Sequence, residues 1–115
     1  MSPKQGNIKT VENQDQFNQI IRDAIKDNLV VVDFSATWCV PCNKIFPQIQ
    51  EMSTKTKYTN VIFLQVDIDH NAELAEKCNI RSMPTFIFYK NGVKVSEFSG
   101  ANLERLEETI NRYQS

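Results

Sequence analysis

Two cysteines, Cys39 and Cys42, stand three positions apart in the run Trp38-Cys39-Val40-Pro41-Cys42. On a helix, residues at that spacing lie almost a full turn apart along one face. One sulfur can then open a disulfide in another molecule while its neighbour waits to break the mixed disulfide that forms. A cysteine at a helix amino terminus also meets unpaired backbone N–H groups and the positive end of the helix dipole. Both favour the thiolate, which is the attacking species, and such placement lowers a cysteine pKa to ~3.5–7.5.

Two plainer readings compete. The pair could be structural thiols in a core, although Trp38 and Pro41 frame it where a strand feeds a helix. It could belong to a zinc site, since Cys39, Cys42, Cys78 and His70 supply a nominal four ligands. A structural zinc site needs a second close-spaced pair, however, and His70 and Cys78 are eight positions apart. Cys78 falls at i+4 from Leu74 and is expected to pack inward as a core filler, with a partly exposed, oxidisable thiol as the alternative. His70 reads as a solvated loop residue, and no metal site is expected.

Asp33 is the third residue with chemical promise. It interrupts the apolar run Leu29-Val30-Val31-Val32-Asp33-Phe34, where a carboxylate is costly unless neutralised or hydrogen-bonded. Burial raises a carboxyl pKa, so Asp33 can accept a proton near neutral pH. Lying six residues before Cys39, it is placed to sit beneath the pair and take the Cys42 proton, directly or through a water. Otherwise it would merely tie down the loop that follows.

The elements that must position these groups follow from periodicity. Ile8 to Val11 reads as a short strand. Phe17, Ile20, Ile21, Ala24 and Ile25 predict an amphipathic helix of about three to four turns, capped by Asn13 or Asp15. Leu29–Phe34 and Val61–Val66 are continuous apolar runs, the mark of strands buried on both faces. Between them a helix runs from Cys39 to about Lys55. Proline at 41 is tolerated in its first turn, and Pro47 should kink it.

Asp69 or Asn71 can cap a short helix ending near Cys78. Ser82-Met83-Pro84-Thr85 opens the fourth strand, where proline fits in either isomer. Thr85–Lys90, Asn91-Gly92 and Val93–Phe98 predict a hairpin with a type I′ turn. Leu103, Leu106, Ile110 and Tyr113 line one face of a terminal helix. The order is β α β α β α β β α, an α/β protein with a mixed sheet of five strands and helices on both faces. Its first crossovers should be parallel.

Bulk properties set limits. At 115 residues, with 41% hydrophobic and 23% charged residues, one globular domain spanning 1–115 is expected. A formal charge of −1 gives no reason to expect a nucleic acid or an acidic membrane surface as partner. Apolar runs are too short to span a bilayer. Three cysteines do not make a disulfide scaffold, and Met1–Thr10 lacks a secretory layout, so a reducing cytoplasm is the expected setting.

Together these residues resemble the thioredoxin family, over about Ile8 to Tyr113. The likeness rests on Val31-Val32-Asp33-Phe34-Ser35-Ala36-Thr37-Trp38-Cys39, Pro41-Cys42, Arg81-Ser82-Met83-Pro84-Thr85-Phe86 and Phe98-Ser99-Gly100-Ala101-Asn102. The segments at Phe34-Ser35-Ala36 and Phe98–Asn102 look most like cytosolic eukaryotic members. The resemblance implies the thioredoxin fold and a protein-disulfide reductase. Cys39 would be the nucleophile, Cys42 the resolving thiol and Asp33 the buried carboxylate near it.

By the same resemblance Pro84 matches the family's cis-proline facing the disulfide, and Pro47 its helix-kinking proline. Trp38, Val40, Pro41, Met83, Pro84, Gly100 and Ala101 would form a shallow apolar client groove. The family needs no bound cofactor and is recycled by NADPH-dependent thioredoxin reductase. Peroxiredoxins, ribonucleotide reductase and methionine sulfoxide reductases are among its clients, and a monomer is expected.

Three positions depart from the family pattern. Val40 stands where glycine is usual, stiffening the turn and adding bulk beside the sulfur. Asn43 replaces a commonly basic residue. Gln65 replaces the lysine of many bacterial members, leaving desolvation as the main influence on Asp33. The competing functions are an oxidase or isomerase of the same fold, a non-catalytic adaptor using the groove, and metal or iron–sulfur binding through the cysteine pair.

Overall fold

Leu29–Ser35 (β2) is buried at every position, and only the middle of a sheet covered on both faces can offer that. A computed structural model describes residues 6–24 and 28–114 and places β2 there. Its other strands are Ile8–Thr10 (β1), Val61–Asp67 (β3), Thr85–Lys90 (β4) and Val93–Ser99 (β5). The helices are Gln14–Asp23 (α1), Val40–Ser53 (α2), Ala72–Lys77 (α3) and Leu103–Tyr113 (α4), with a 3₁₀ turn at Thr56–Tyr58. The five strands lie in the order β1-β3-β2-β4-β5. β1 and β2 run parallel to β3, whereas β4 is antiparallel to both β2 and β5.

Alternation along β2 divides the core in two. Leu29 and Val31 pack with Ile45, Ile49 and Met52 of α2 and Leu106 and Ile110 of α4. Val30, Val32 and Phe34 face the other way, toward Phe17 of α1 and Leu74 of α3. This is the mixed sheet with helices on both faces that the apolar runs imply. β3 is less uniformly buried than its composition suggests, since Ile62 and Gln65 are half-exposed. Its outer neighbour β1 spans only three residues and pairs with Phe63, Leu64 and Gln65.

The hairpin between β4 and β5 turns at Asn91 (φ 58°) and Gly92 (φ 77°), two positive φ values in succession, as a type I′ turn requires. Farther along, Phe88 faces Ser96 but Tyr89 faces Lys94, so β5 bulges at Val95.

α1 is shorter than its apolar spacing implies. It ends at Asp23, and Ala24 turns out of the helix (ψ 131°) while its N–H still bonds the Ile20 carbonyl. Ile25, expected to continue the stripe, lies outside the described residues. α2 continues through Pro47 to Ser53.

Of the two candidate caps for α1, Asn13 does the work: its side-chain oxygen accepts the Gln16 N–H at 2.8 Å. Asn102 accepts the Arg105 N–H at 2.9 Å and caps α4 in the same way. Both residues are exposed, so alanine there removes little except the cap. Asn13→Ala and Asn102→Ala should each cost about 1 kcal/mol. The two losses should add in the double variant, measured as urea midpoints at constant m.

Candidate redox site

β2 delivers the chain to the site, and α2 begins there. After Ser35 the loop closes through a hydrogen bond from Cys39 N–H to the Ala36 carbonyl (3.1 Å). Cys39 occupies the N-cap of α2 with extended backbone. Its carbonyl accepts the Asn43 N–H (3.1 Å), and its sulfur accepts the Cys42 N–H (3.2 Å). Pro41 lies in the first turn, where a missing N–H costs nothing. Asn43 takes up a structural duty: its side-chain amide donates to the Thr37 carbonyl (3.0 Å) and ties the loop to the helix.

Cys39 and Cys42 are joined as a disulfide with their Cα atoms 5.3 Å apart. Both are buried, in a small cluster with Ala36 against which Ile68 and Met83 pack. Trp38 and Val40, flanking Cys39, are each 61% exposed.

The Met83–Pro84 peptide is cis, the isomer that the local sequence leaves open. Pro84 is buried and Met83 half-buried against the cysteines. The Pro84 carbonyl accepts the Gly100 N–H (2.9 Å), and Gly100 adopts φ 112°, a conformation that favours glycine. Thr85 fastens the same corner, since its hydroxyl donates to the Ser82 carbonyl (2.6 Å) and lies 2.7 Å from the Ser99 hydroxyl. Gly100 thus joins Met83 and Pro84, with Ala101 exposed beside it.

Asp33 shares a sheet face with Val31 and Ser35, the face covered by α2. Phe86 and Gln65 are its direct cross-strand partners. Ile45 and Ile49 of α2 pack on that face with Val31, and Cys42 is buried one turn nearer the helix start. The carboxyl is 3% exposed, and neither oxygen has a hydrogen-bond partner among the described residues. Burial pushes its pKa from 3.8 up to about 7. Gln65 turns its amide to the Ser35 hydroxyl (3.3 Å).

Sequence reasoning missed one participant, Asp69. Expected as a helix cap, it instead accepts the Trp38 indole N–H on its carboxylate at 2.8 Å, across 31 positions of sequence. Its own N–H donates to Asp67 (2.9 Å), so the end of β3 braces the exposed indole. Asn71 holds the N-cap position of α3 without a side-chain cap bond and donates to the Val11 and Asp67 carbonyls. Nothing local in the sequence marks either contact.

Cys78 packs against the core cluster that contains Leu74, as its spacing implies, but it is only half-buried. α3 stops at Lys77, so Cys78 sits at the C-cap, half-buried at the margin of the core beside Tyr89. Burial pushes its thiol pKa up, with the Tyr89 hydrogen bond acting in the opposite direction. His70 is exposed. Among the described residues no three His, Cys, Asp or Glu side chains are gathered for a metal ion, and no helix is long and apolar enough to cross a membrane.

The sequence matches the family model Thioredoxin over residues 8–112. The chain belongs to the thioredoxin family. It is 53% identical to human thioredoxin over 104 residues, covering 90% of this chain and 96% of that one. Among solved structures, a Plasmodium falciparum thioredoxin superposes with a TM-score of 0.83 at 45% identity, covering 91% and 98% of the two chains. The Nicotiana alata thioredoxin NaTrxh superposes with a TM-score of 0.90 at 31% identity, covering 100% and 99%. Thioredoxins are thiol–disulfide oxidoreductases, and this member carries its CxxC pair closed as a disulfide. Dithiol–disulfide exchange is therefore its chemistry.

Proposed function

We propose that this thioredoxin is a protein-disulfide reductase in which Cys39 attacks and Cys42 resolves. The Cys39 thiolate displaces one sulfur of a client disulfide, forming a mixed disulfide and releasing a client thiolate. Cys42 loses its proton to the Asp33 carboxylate and attacks the Cys39 sulfur. The second client thiolate then leaves, and the Cys39–Cys42 disulfide is formed. The client has gained two electrons and, after protonation, two protons. NADPH-dependent thioredoxin reductase restores the dithiol.

The observation that carries this reading is the place of Cys39 at the head of α2, its sulfur facing the Cys42 N–H. That donor and the dipole of a 14-residue helix both favour a thiolate there once the pair is reduced. Trp38, Val40, Pro41, Met83, Pro84, Gly100 and Ala101 form the client surface, a shallow one suited to a protein segment. Peroxiredoxins belong to the client class the family implies. The chain works as one domain over residues 1–115 and as a monomer. A donor that must remain a dithiol belongs in a reducing compartment, so we place it in the cytoplasm.

The test is a coupled assay with thioredoxin reductase, NADPH and a disulfide-bonded protein such as insulin. NADPH consumption should require all components and continue over many turnovers for each molecule of this protein. Transfer of electrons only in the oxidising direction would overturn the reductase assignment.

A further inference from the structure

The residues on either side of Cys39 project into solvent while Cys39 itself, 5% exposed, lies below them. Trp38 and Val40 thereby make an apolar rim over the sulfur. The indole is held by Asp69. Val40 is the first residue of α2, and a β-branched side chain there has one strongly preferred rotamer, so its methyl groups keep their place. No charged residue occurs in the segments Phe34–Asn43, Ser82–Thr85 or Phe98–Leu103.

Resting on the reductase reading, we propose that Val40 is a specificity-determining residue. With Trp38 it selects client disulfides whose attacked cysteine is flanked by apolar side chains. A segment that brings a disulfide to Cys39 must lay the neighbours of its own cysteine against the rim. An apolar neighbour leaves water for apolar contact. A polar neighbour gives up water and finds no hydrogen-bonding partner on the Val40 side chain. Glycine at this position would leave only the Trp38 half of the rim. Fixed methyl groups discriminate because specificity is a difference between two binding energies, and one poorly matched group raises one of them.

The experiment uses two peptides, each with one intramolecular disulfide, that differ only in leucine or serine on both sides of the attacked cysteine. Single-turnover reduction is measured with the wild-type protein, with Val40→Thr and with dithiothreitol. Threonine keeps the β-branch and replaces one methyl by a hydroxyl, so the stiffness of the turn is retained. Comparing rate ratios cancels both the intrinsic reactivity of each peptide and any shared change in potential.

A methylene in a closed apolar pocket is worth roughly tenfold or more, and an open rim less. The wild-type protein should therefore exceed the dithiothreitol ratio for the leucine peptide by about fivefold, and Val40→Thr should lose half or more of that preference. A wild-type ratio equal to that of dithiothreitol, or one that Val40→Thr leaves intact, overturns the role of Val40. Failure of the wild-type protein to reduce either peptide is a different result, and it removes the reductase reading itself.

Discussion

Cys42→Ser protein, once reduced and mixed with a client disulfide, accumulates as a covalent complex through Cys39 and turns over no further. Cys39→Ser captures nothing. Both lose steady-state reduction by on the order of 10³-fold or more, because a nucleophile and the group that completes its reaction act as a unit. What separates the two variants is the trapped species, seen as a mass increase that dithiothreitol reverses. The asymmetry has a structural cause. Cys39 stands at the N-cap, with its sulfur facing a backbone N–H and its neighbours Trp38 and Val40 exposed for contact. Cys42 lies within α2 on its buried stripe, packed with Ala36 and against Ile68 and Met83. A trap formed by Cys39→Ser in place of Cys42→Ser would reverse the assignment of the two sulfurs.

The chemistry was legible because its parts are local. Strand, loop, Trp38-Cys39-Val40-Pro41-Cys42 and helix follow one another along the chain, so a pattern of residue types places the cysteines at a helix head without any knowledge of tertiary contacts. The central sheet was legible for a related reason: Leu29–Ser35 is buried on both faces, and its sequence shows no alternation. Asp33 stood out as a carboxylate within that run, and its lack of a partner among the described residues agrees with desolvation as the cause of its raised pKa.

Contacts between distant segments left no such trace. Asp69 and Asn71 look like helix caps because each is a short polar residue before a helix. Their side chains instead serve Trp38, Val11 and the end of β3. The contact of Thr85 with Ser99, and the bond from Gly100 to Pro84, join β4 to the end of β5 only after the hairpin has closed. Periodicity put Cys78 on the face of Leu74, where its N–H bonds the Leu74 carbonyl and its side chain meets the core, but a position at the end of a six-residue helix leaves it only half-covered.

Asp33→Asn should make the protein more stable above neutral pH and slower in resolving mixed disulfides. The sign of the stability change follows from linkage. Folding raises the carboxyl pKa from 3.8 to about 7, so in that window the folded protein retains a proton that the unfolded chain has released. Stability from this group is fully present below the lower value, falls as pH rises through the window, and levels off above the upper one. The full loss is on the order of 4 kcal/mol. Asparagine has nearly the same volume and no charge, so urea midpoints of the variant should exceed wild type at pH 8 and converge on it near pH 4. The neutral wild-type carboxyl is buried without partners just as the amide is, so that cost is common to both proteins and they meet at low pH.

Resolution should move the other way. Removing a positioned base slows proton transfer by about 10²-fold or more, and the wild-type inflection in rate near pH 7 should vanish with the carboxylate. A purely structural aspartate cannot give this pair of results, since a residue kept for packing or loop anchorage lowers stability when it is replaced. Higher stability with unchanged resolution from pH 6 to 9 would leave Asp33 as buried charge with no part in the chemistry. Lower stability at pH 8 would show that the carboxyl finds a partner in the folded protein and is not held at a raised pKa. Only the opposed pair, stability gained and resolution lost, marks a carboxylate retained at a cost to the fold for the proton it takes from Cys42.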